Sequence, residues 1–290
     1  MPINLDLIGH KSEKIKTNIT EDKVRDYLNA INSENIIYMD EGVAPPIFNV
    51  VQEINILEEI WKMPELHGSI EEMEQNVLML VHGEQSMIFN RLLKFNEDVY
   101  SQAFVDSIVQ KGSNYILKLI VVHTDTEGSE IAKSVWTLFI RAAESDIPRD
   151  NKPKKPAKKL EKPKLQPEEP INESLFSIDE DVTYRYSKAS NDFNPIHIDE
   201  ETAKKAGLSG IIVHGLCTMA MTMEELMKNN LSSDPSRIKS ISLRFSSPVY
   251  PGDSLKVKTF KNEEINKLNF EVENQSNIKV IKNGSLIISD

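Results

Sequence analysis

The chain has 290 residues, of which 45 are acidic and 34 are Lys or Arg, giving a net charge of −11. This length predicts two domains, and the negative charge argues against a general nucleic-acid-binding protein, because phosphates would be repelled over most of the surface. No apolar run is long enough to span a membrane, the N-terminus lacks the apolar stretch of a signal peptide, and the lone Cys217 fits a reducing compartment. We therefore expect a cytoplasmic protein with neither a nucleic-acid nor a membrane partner.

The first 147 residues have the pattern of one helix-and-strand domain. Thr20 is placed to cap a helix whose apolar face consists of Val24, Tyr27, Leu28 and Ile31. A longer apolar helix is predicted over residues 47–61. Strands are predicted at 77–81, 87–95, 115–123 and 132–141.

Residues 148–172 differ in composition from the rest of the chain. Six of the 14 prolines lie between Pro148 and Pro170, together with seven lysines and one arginine. Proline at this density blocks helices and strand ladders, and the like charges repel one another. We predict an extended linker between domains 1–147 and 173–290. A basic nucleic-acid tether is the alternative, which the absence of interleaved aromatic residues disfavours.

The last segment repeats the order of elements seen in the first. Ser177 and Glu180 form a capping-box pattern before a short helix with apolar Val182 and Tyr186. A long apolar helix is then predicted from His214 onward. Strands are predicted at 238–245, 254–260, 267–273 and 285–288. A long helix followed by antiparallel strands, twice over, predicts an α+β fold in which a curved sheet wraps each long helix.

The two domains also share sequence. With an offset of 159 residues, nine of the 21 positions in Glu21–Glu41 are identical to those in Glu180–Glu200. A match of this size indicates a duplicated domain, with a coincidence of composition as the alternative.

One segment carries residues suited to acid–base chemistry. Asp192 and His197 lie five residues apart with Asn194 and Pro195 between them, and this proline predicts a turn rather than a continuing helix. A turn is able to aim a carboxylate and an imidazole at one water molecule, as a general acid–base pair requires. The alternative is a polar turn in which His197 only makes a surface hydrogen bond.

A second feature is the pair His214-Gly215 at the start of the long helix. Amide N–H groups in a first helical turn have no partner within the helix, and glycine lets a ligand approach them. These groups would stabilise negative charge that develops on a thioester oxygen. The six histidines show no metal-ligand spacing, so no metal site is predicted, and no phosphate loop or dinucleotide fingerprint is present.

The segment YSKASNDFNPIHIDEETAKKAGLSGIIVHG, residues 186–215, closely resembles the signature of the MaoC-like, or enoyl-CoA hydratase 2, family. The matching residues are Asp192, Asn194, Pro195, His197, Asp199, Ala203, Gly207, His214, Gly215 and Leu216. The visible departure is Asn191, where the family usually has glycine; asparagine tolerates a positive φ better than most residues, so we expect the turn to be kept. Residues 81–93 resemble, less specifically, the N-terminal dehydratase domain that accompanies MaoC domains.

The resemblance implies a double hot-dog fold and the reversible syn hydration of a trans-2-enoyl thioester to the (R)-3-hydroxyacyl thioester. It implies that Asp192 and His197 activate the water and exchange a proton with the α-carbon, and that Asn194 orients them. It places the thioester oxygen at His214 and Gly215. The substrate would be an acyl-CoA, and no cofactor is implied.

The repeat adds the expectation of one active site per chain. Asp192 corresponds to Ser33 and His197 to Tyr38, and neither replacement performs the same proton transfers near neutral pH. The first domain would then complete the sheet and shape a tunnel for the acyl tail. Alternative functions are a 3-hydroxyacyl-[acyl carrier protein] dehydratase, a hot-dog thioesterase and a non-catalytic scaffold subunit. The chain would be a monomeric double hot dog or a homodimer.

Overall fold

A computed structural model of the chain describes residues 3–78, 80–140 and 169–289. Most of the predicted linker, 148–168, lies outside these residues. Eight α-helices occur in the described part: α1 Glu21–Ala30, α2 Ile37–Glu41, α3 Val50–Trp61, α4 Pro64–His67, α5 Ile70–Leu78, α6 Val182–Ser190, α7 Glu200–Lys205 and α8 Gly215–Asn230. Within the described ranges, every helix is too short or too polar to traverse a lipid bilayer.

The described residues contain ten strands. They are β1 Ile15–Asn18, β2 Leu80–Phe89, β3 Asp98–Lys111, β4 Asn114–Thr124, β5 Glu130–Ile140, β6 Asn172–Ser177, β7 Ile238–Phe245, β8 Ser254–Lys261, β9 Lys267–Asn274 and β10 Lys279–Ile288. All ten form one antiparallel sheet in the order β1-β3-β4-β5-β2-β7-β10-β9-β8-β6. The two lobes have the same strand order when it is followed from each outer edge towards the centre: β1-β3-β4-β5-β2 in the first lobe corresponds to β6-β8-β9-β10-β7 in the second.

The two lobes meet where β2 pairs with β7. Ser86 lies opposite Ser242 in this pairing, and the ladder runs from Glu84 to Ile88 on the first strand. The sheet therefore continues from one lobe into the other without a free edge between them. The closed central pairing leaves β1 and β6 as the outer strands.

The helices of the two lobes also contact each other. Arg185 on α6 donates from its guanidinium to the backbone oxygen of Asn29 at 2.7 Å and to Asn32 Oδ1 at 2.9 Å, so it satisfies acceptors at the end of α1. The same side chain pairs with Asp179 and Asp181. This contact joins corresponding helices of the repeat, α1 and α6.

A central helix lies in each lobe. In the second lobe this is α8, whose side chains from Leu216 to Met223 are all buried. In the first lobe a 3₁₀ turn, Pro46–Asn49, leads directly into α3. The predicted helix over 47–61 and the predicted α+β architecture are thus confirmed.

Helix α3 is tied to the sheet by a buried carboxylate. Glu53 is fully buried and accepts hydrogen bonds from His123 Nε2 at 2.8 Å, from Ser134 and from Trp136 Nε1. His123 Nδ1 in turn contacts Ser101 Oγ at 2.7 Å. A buried charge without such partners would be strongly destabilising, and the network therefore fixes the position of α3 on β4 and β5.

Several element boundaries differ from the prediction. Ser177 does not cap a helix: it is the last residue of β6 and lies opposite Ser254, and α6 begins only at Val182. Residues 77–81 are not one strand, because α5 continues to Leu78 before β2 begins. The 14-residue strand β3 was not predicted at all.

Candidate active site

The turn that carries Asp192 and His197 begins where α6 ends. Asn191 follows the helix with φ of 61°, in the left-handed region that glycine usually occupies, which confirms that asparagine preserves the turn. The next residue, Asp192, is half-buried, and its Oδ1 accepts a hydrogen bond from the amide of Asn194 at 3.2 Å. The turn thereby places Asp192 outside α6, just before the 3₁₀ turn that carries His197.

His197 lies at the end of a 3₁₀ turn, Pro195–His197, and is 8% exposed. Its Nδ1 is 2.7 Å from the backbone oxygen of Ile212, so Nδ1 carries the proton and Nε2 keeps a free lone pair. Burial lowers the pKa of this imidazole, while the neighbouring Asp192 carboxylate and the Ile212 carbonyl act in the opposite direction. The net shift is downward, which favours a neutral imidazole at physiological pH.

His214 lies against His197. The two rings stack with centroids 3.8 Å apart and an angle of 27° between their planes. His214 is 1% exposed, and its Nε2 donates to the backbone oxygen of Asp192 at 3.1 Å. Its pKa lies well below the usual value, first because of burial and then because of His197. His214 therefore contacts both the His197 ring and the backbone of Asp192.

The structure brings the predicted residues together. One carboxylate oxygen of Asp192 and one ring nitrogen from each of His197 and His214 all lie within 4.8 Å of one another. Two hydrogen bonds of about 2.8 Å to one water molecule span a distance of this size. The arrangement suits a water molecule held between a carboxylate and an imidazole.

Gly215 is the first residue of α8, and His214 precedes the helix without a side-chain cap. The amides of the first turn have no acceptor within the helix, and they lie at the positive end of the helix dipole. A Cβ placed on Gly215 would lie 3.2 Å from the ring of Phe245. The close approach of β7 therefore favours glycine here, because a Cβ would fit only if the Phe245 ring moved, and this packing reason was not visible in the sequence.

Asn194 acts on the turn itself. Its Oδ1 accepts from the amide of Ile196 at 3.3 Å, and its backbone oxygen accepts from the amide of His197 at 3.0 Å. The side chain is exposed and serves as the cap of the 3₁₀ turn. These bonds orient His197 through the backbone.

Two contributors to the site were missed by sequence reasoning. Ile212 holds the His197 ring through its carbonyl, and Phe245 packs on the start of α8. The residue type carries no signal for Ile212, because a backbone oxygen is present at every position. The glycine at the predicted helix start was the available hint of a close contact there, but it did not identify Phe245.

The first lobe has a counterpart of this site with different chemistry. Ser33 Oγ and Tyr38 OH, which correspond to Asp192 and His197, donate to Glu224 on α8 at 2.8 and 2.6 Å. The carboxylate of Glu224 therefore occupies the space between them. Burial raises the pKa of Glu224, and the two hydroxyl groups oppose that shift.

The helix start is also altered in the first lobe. The amide of Ala44 donates to Leu93, as that of Val213 donates to Val249, so Pro45 corresponds to His214 and Pro46 to Gly215. Both residues before the helix have similar backbone angles, with φ of −56° at Pro45 and −55° at His214. Proline has no N–H, so Pro46 provides no amide donor at this position.

Comparisons with known proteins give one family match in each lobe. A family model described as "MaoC like domain" matches residues 156–283, and one described as "FAS1-like, dehydratase domain region" matches residues 6–133. The C-terminal lobe is a MaoC-like dehydratase domain. The N-terminal lobe is the FAS1-like dehydratase region, so the resemblance seen in the sequence is confirmed for both halves.

Solved structures extend the likeness to the whole fold. A MaoC-like dehydratase from Phytophthora capsici superposes with a TM-score of 0.78 and 24% identity over 99% of each chain. A Mycobacterium tuberculosis protein described as a double hot dog superposes with a TM-score of 0.62 and 11% identity over 97% of this chain and 96% of that one. The predicted double hot-dog fold is confirmed.

Two curated relatives point to the type of enzyme. A probable enoyl-CoA hydratase 2 from Dictyostelium discoideum is 28% identical over 88% of this chain and 86% of its own length. The peroxisomal multifunctional enzyme type 2 of Mus musculus is 26% identical over 98% of this chain but only 37% of its own length. This MaoC-like protein is an enzyme of the hydratase type.

Proposed function

We propose that the protein is an (R)-specific enoyl-CoA hydratase, which adds water reversibly and in the syn sense to a trans-2-enoyl-CoA. The observation that carries the proposal is the approach of Asp192 and His197 within 4.8 Å on one turn beside the uncapped start of α8. The names of the relatives that cover most of the chain support coenzyme A as the carrier of the acyl group. The net charge of −11 disfavours an acidic acyl carrier protein as the carrier.

The hydrogen bonds of the site suggest how the proton moves. His197 donates from Nδ1 to Ile212, so its Nε2 accepts a proton from water while the water oxygen attacks the β-carbon of the enoyl thioester. The proton that His197 has taken from water then passes to the Asp192 carboxylate, which delivers it to the α-carbon. Both side chains return to their starting state, so the net change is the addition of one water molecule.

The start of α8 would hold the thioester. Negative charge builds up on the thioester oxygen as the β-carbon is attacked, and the amide of Gly215 together with the helix dipole would stabilise it. His214 packs against His197 and binds the Asp192 backbone, so it keeps both groups in register with that amide.

One active site per chain follows from the differences between the lobes. Ser33 and Tyr38 are bonded to Glu224, and Pro46 lacks the amide donor that Gly215 supplies. We propose that the first lobe supports the catalytic lobe through the shared sheet and shapes the path of the acyl tail.

The test is a spectroscopic assay with matched variants. Wild-type protein is incubated with crotonyl-CoA, and hydration is followed as loss of the enoyl-thioester absorbance. We expect Asp192→Asn and His197→Gln to lower the rate by about 10²–10⁴-fold, the range that acid–base groups contribute. Ser33→Ala and Tyr38→Phe, the matched changes in the other lobe, should stay within about threefold of wild type.

The same assay separates the alternatives. Release of free thiol would indicate a thioesterase, activity only with an acyl carrier protein substrate would indicate a dehydratase of fatty acid synthesis, and no reaction with either carrier would indicate a scaffold. Equal losses from the two pairs of variants would contradict a single site. Chiral analysis of the product tests the (R) configuration.

Location and assembly remain proposals. The lone Cys217, which is buried, supports a reducing compartment such as the cytoplasm, although a relative named as peroxisomal exists. The two lobes already pair through β2 and β7, so we propose a monomeric double hot dog, with a homodimer as the alternative that light scattering would detect.

A further inference from the structure

An aromatic ring of the first lobe lies close to the start of α8 in the second. We propose that His82 on β2 is a positioning residue for the oxyanion site, because its ring holds Phe245 and Phe245 in turn holds the Gly215 amide in place. The contacts rest on the positions of the rings, whereas their effect on the rate rests also on the proposed function. The first lobe would thus contribute directly to the reaction of the second, in addition to completing the sheet.

Phe245 is the side chain that touches both lobes at this point. It is the last residue of β7, and the residue before it, Arg244, pairs with Glu84 of β2. Its ring meets the His82 ring in an edge arrangement, with centroids 5.1 Å apart and 64° between the planes. The same ring lies 3.2 Å from the point that a Cβ on Gly215 would occupy. Movement of the Phe245 ring would therefore change the packing at the start of α8.

Trp136 on β5 supports His82 in turn. The two rings are stacked, with centroids 4.4 Å apart and 10° between the planes. The indole of Trp136 is 3% exposed, and its Nε1 donates a hydrogen bond to the buried carboxylate of Glu53. Aromatic pairs in stacked or edge arrangements are favourable beyond the area that they bury. His82 therefore packs on a side chain that has little freedom to move.

A bulge in β2 turns His82 towards these contacts. The register of the ladder between β2 and β5 shifts between His82 and Glu84. Side chains three residues apart in a regular strand point to opposite faces, yet His82 Nε2 donates to Gln85 Oε1 at 3.0 Å. The bulge thus brings both side chains to one face. Bulges of this kind often re-aim a side chain beside an active site.

The His82 ring serves as an uncharged aromatic surface. Burial lowers the pKa of His82 to about 4, against the opposing effect of its hydrogen bond to Gln85. The imidazole is therefore neutral near physiological pH and adds no charge beside the helix start. A phenyl ring should replace it in the contact with Phe245, whereas a small side chain should not.

Loss of the ring would affect the transition state more than substrate binding. The Phe245 ring would move into the space left beside it, and the start of α8 would relax with it. An oxyanion donor acts only within a narrow range of distances, and a misplacement of about 1 Å lowers rates by about 10²-fold. Because the negative charge develops only during the reaction, the loss should appear in kcat rather than in KM.

Steady-state kinetics with crotonyl-CoA test the effect on the rate. We expect His82→Ala to lower kcat by about tenfold or more, with KM within about threefold of wild type. His82→Phe, which restores a flat ring, should return kcat to within about threefold of wild type. Ile108→Ala is the matched control, because it also shortens a side chain of the first lobe, on β3, which β4 and β5 separate from β2.

The Gly215 amide gives a readout that does not depend on activity. Labelling with ¹⁵N-glycine limits the amide spectrum to the 11 glycines of the chain, and Gly215→Ala identifies the Gly215 resonance. An aromatic ring shifts the resonances of nuclei close to it, so this amide reports the position of the Phe245 ring. We expect His82→Ala to move the Gly215 resonance, His82→Phe to return it towards its wild-type position, and Ile108→Ala to leave it unchanged.

Three results would overturn the positioning role. They are an unmoved Gly215 resonance in His82→Ala, a kcat of His82→Ala no lower than that of Ile108→Ala, and equal kcat losses in His82→Ala and His82→Phe. A raised KM with unchanged kcat would also overturn it, because it would indicate direct contact between His82 and the substrate.

Two further measurements keep the result interpretable. Circular dichroism shows whether His82→Ala folds; if it does not, His82→Leu, which keeps apolar volume without a flat ring, takes its place with the same expectations. Wild-type protein that hydrates nothing, together with a Gly215 resonance that moves as expected, would contradict the proposed function and leave the contact between the lobes supported.

Discussion

Three factors determine the pKa of His197: burial of the ring, the nearby Asp192 carboxylate and the hydrogen bond to the Ile212 carbonyl. Burial disfavours the imidazolium and has the largest effect, so the folded pKa is below the ordinary value of 6.5. Because a base must be unprotonated to accept a proton from water, this shift widens the pH range in which His197 is available for the proposed role as base.

The pH profile of kcat/KM tests this environment. We expect the acidic limb, where activity falls as His197 becomes protonated, to have its midpoint below pH 6.5. Measurement of crotonyl-CoA hydration from pH 5 to pH 8 in buffers of constant ionic strength gives the midpoint. An acidic limb centred above pH 7 would be inconsistent with a buried neutral base.

The sequence predicted the residues of the site better than their surroundings. The proline and the asparagines of the turn report local backbone geometry, so the positions of Asp192 and His197 and the positive φ of Asn191 were accessible. The stacking of His214 on His197 depends on how α8 meets the turn. Such a contact between elements leaves no periodic trace in the chain.

The proposed oxyanion site depends on the contact between the start of α8 and β7. Phe245 approaches Gly215 so closely that an added Cβ would lie in a range tighter than ordinary van der Waals contact. Either the Phe245 ring or the helix start would have to move to accommodate a side chain, and movement of the helix start would displace the first-turn amides.

A pair of substitutions tests this packing. We expect Gly215→Ala to lower the free energy of unfolding by about 1–3 kcal/mol and to lower hydration activity. Phe245→Leu, which removes the ring, should restore part of both losses when combined with Gly215→Ala. Urea unfolding measures the loss of stability and the crotonyl-CoA assay measures the loss of activity. Phe245→Leu alone is the control. A double variant no better than Gly215→Ala would rule out steric contact as the cause.

Secondary-structure elements were predicted correctly where the apolar pattern along the sequence is regular. They were missed where pairing with another strand determines the conformation. The strands β4, β7, β8 and β9 were located to within a residue or two because their burial alternates. The capping-box pattern at Ser177 was misleading, since the same serine completes a ladder with β8. Tertiary pairing determined its conformation, and the local sequence could not report it.

Several contacts join the two lobes of the molecule. One of them is made by Glu224 on α8, a buried carboxyl group of the second lobe that accepts hydrogen bonds from Ser33 and Tyr38 of the first. Its folded pKa is raised by burial, so the folded state favours the protonated form more than the unfolded state does. Stability from this group is therefore present at low pH and is lost as the pH rises through the folded pKa.

Comparison with Glu224→Gln tests that coupling. Glutamine does not titrate, yet it still offers an oxygen to Tyr38. We expect the stability of wild type relative to Glu224→Gln to be higher at pH 5 than at pH 8, measured as free energies of urea unfolding. Glu263→Gln, an exposed change between β8 and β9, is the control. A difference that is independent of pH would show that Glu224 does not titrate between those values.

The carboxyl group of Glu224, which lies between Ser33 and Tyr38, illustrates what fusion of two domains in one chain permits. In an assembly of two identical subunits, a substitution that blocks the site in one subunit also blocks the site in the other. Selection for activity would remove such a substitution. Joining the two copies in one polypeptide frees each from that constraint. One half is then free to hold hydrogen bonds such as those from Ser33 and Tyr38 to Glu224, while the other half keeps different side chains at the corresponding positions.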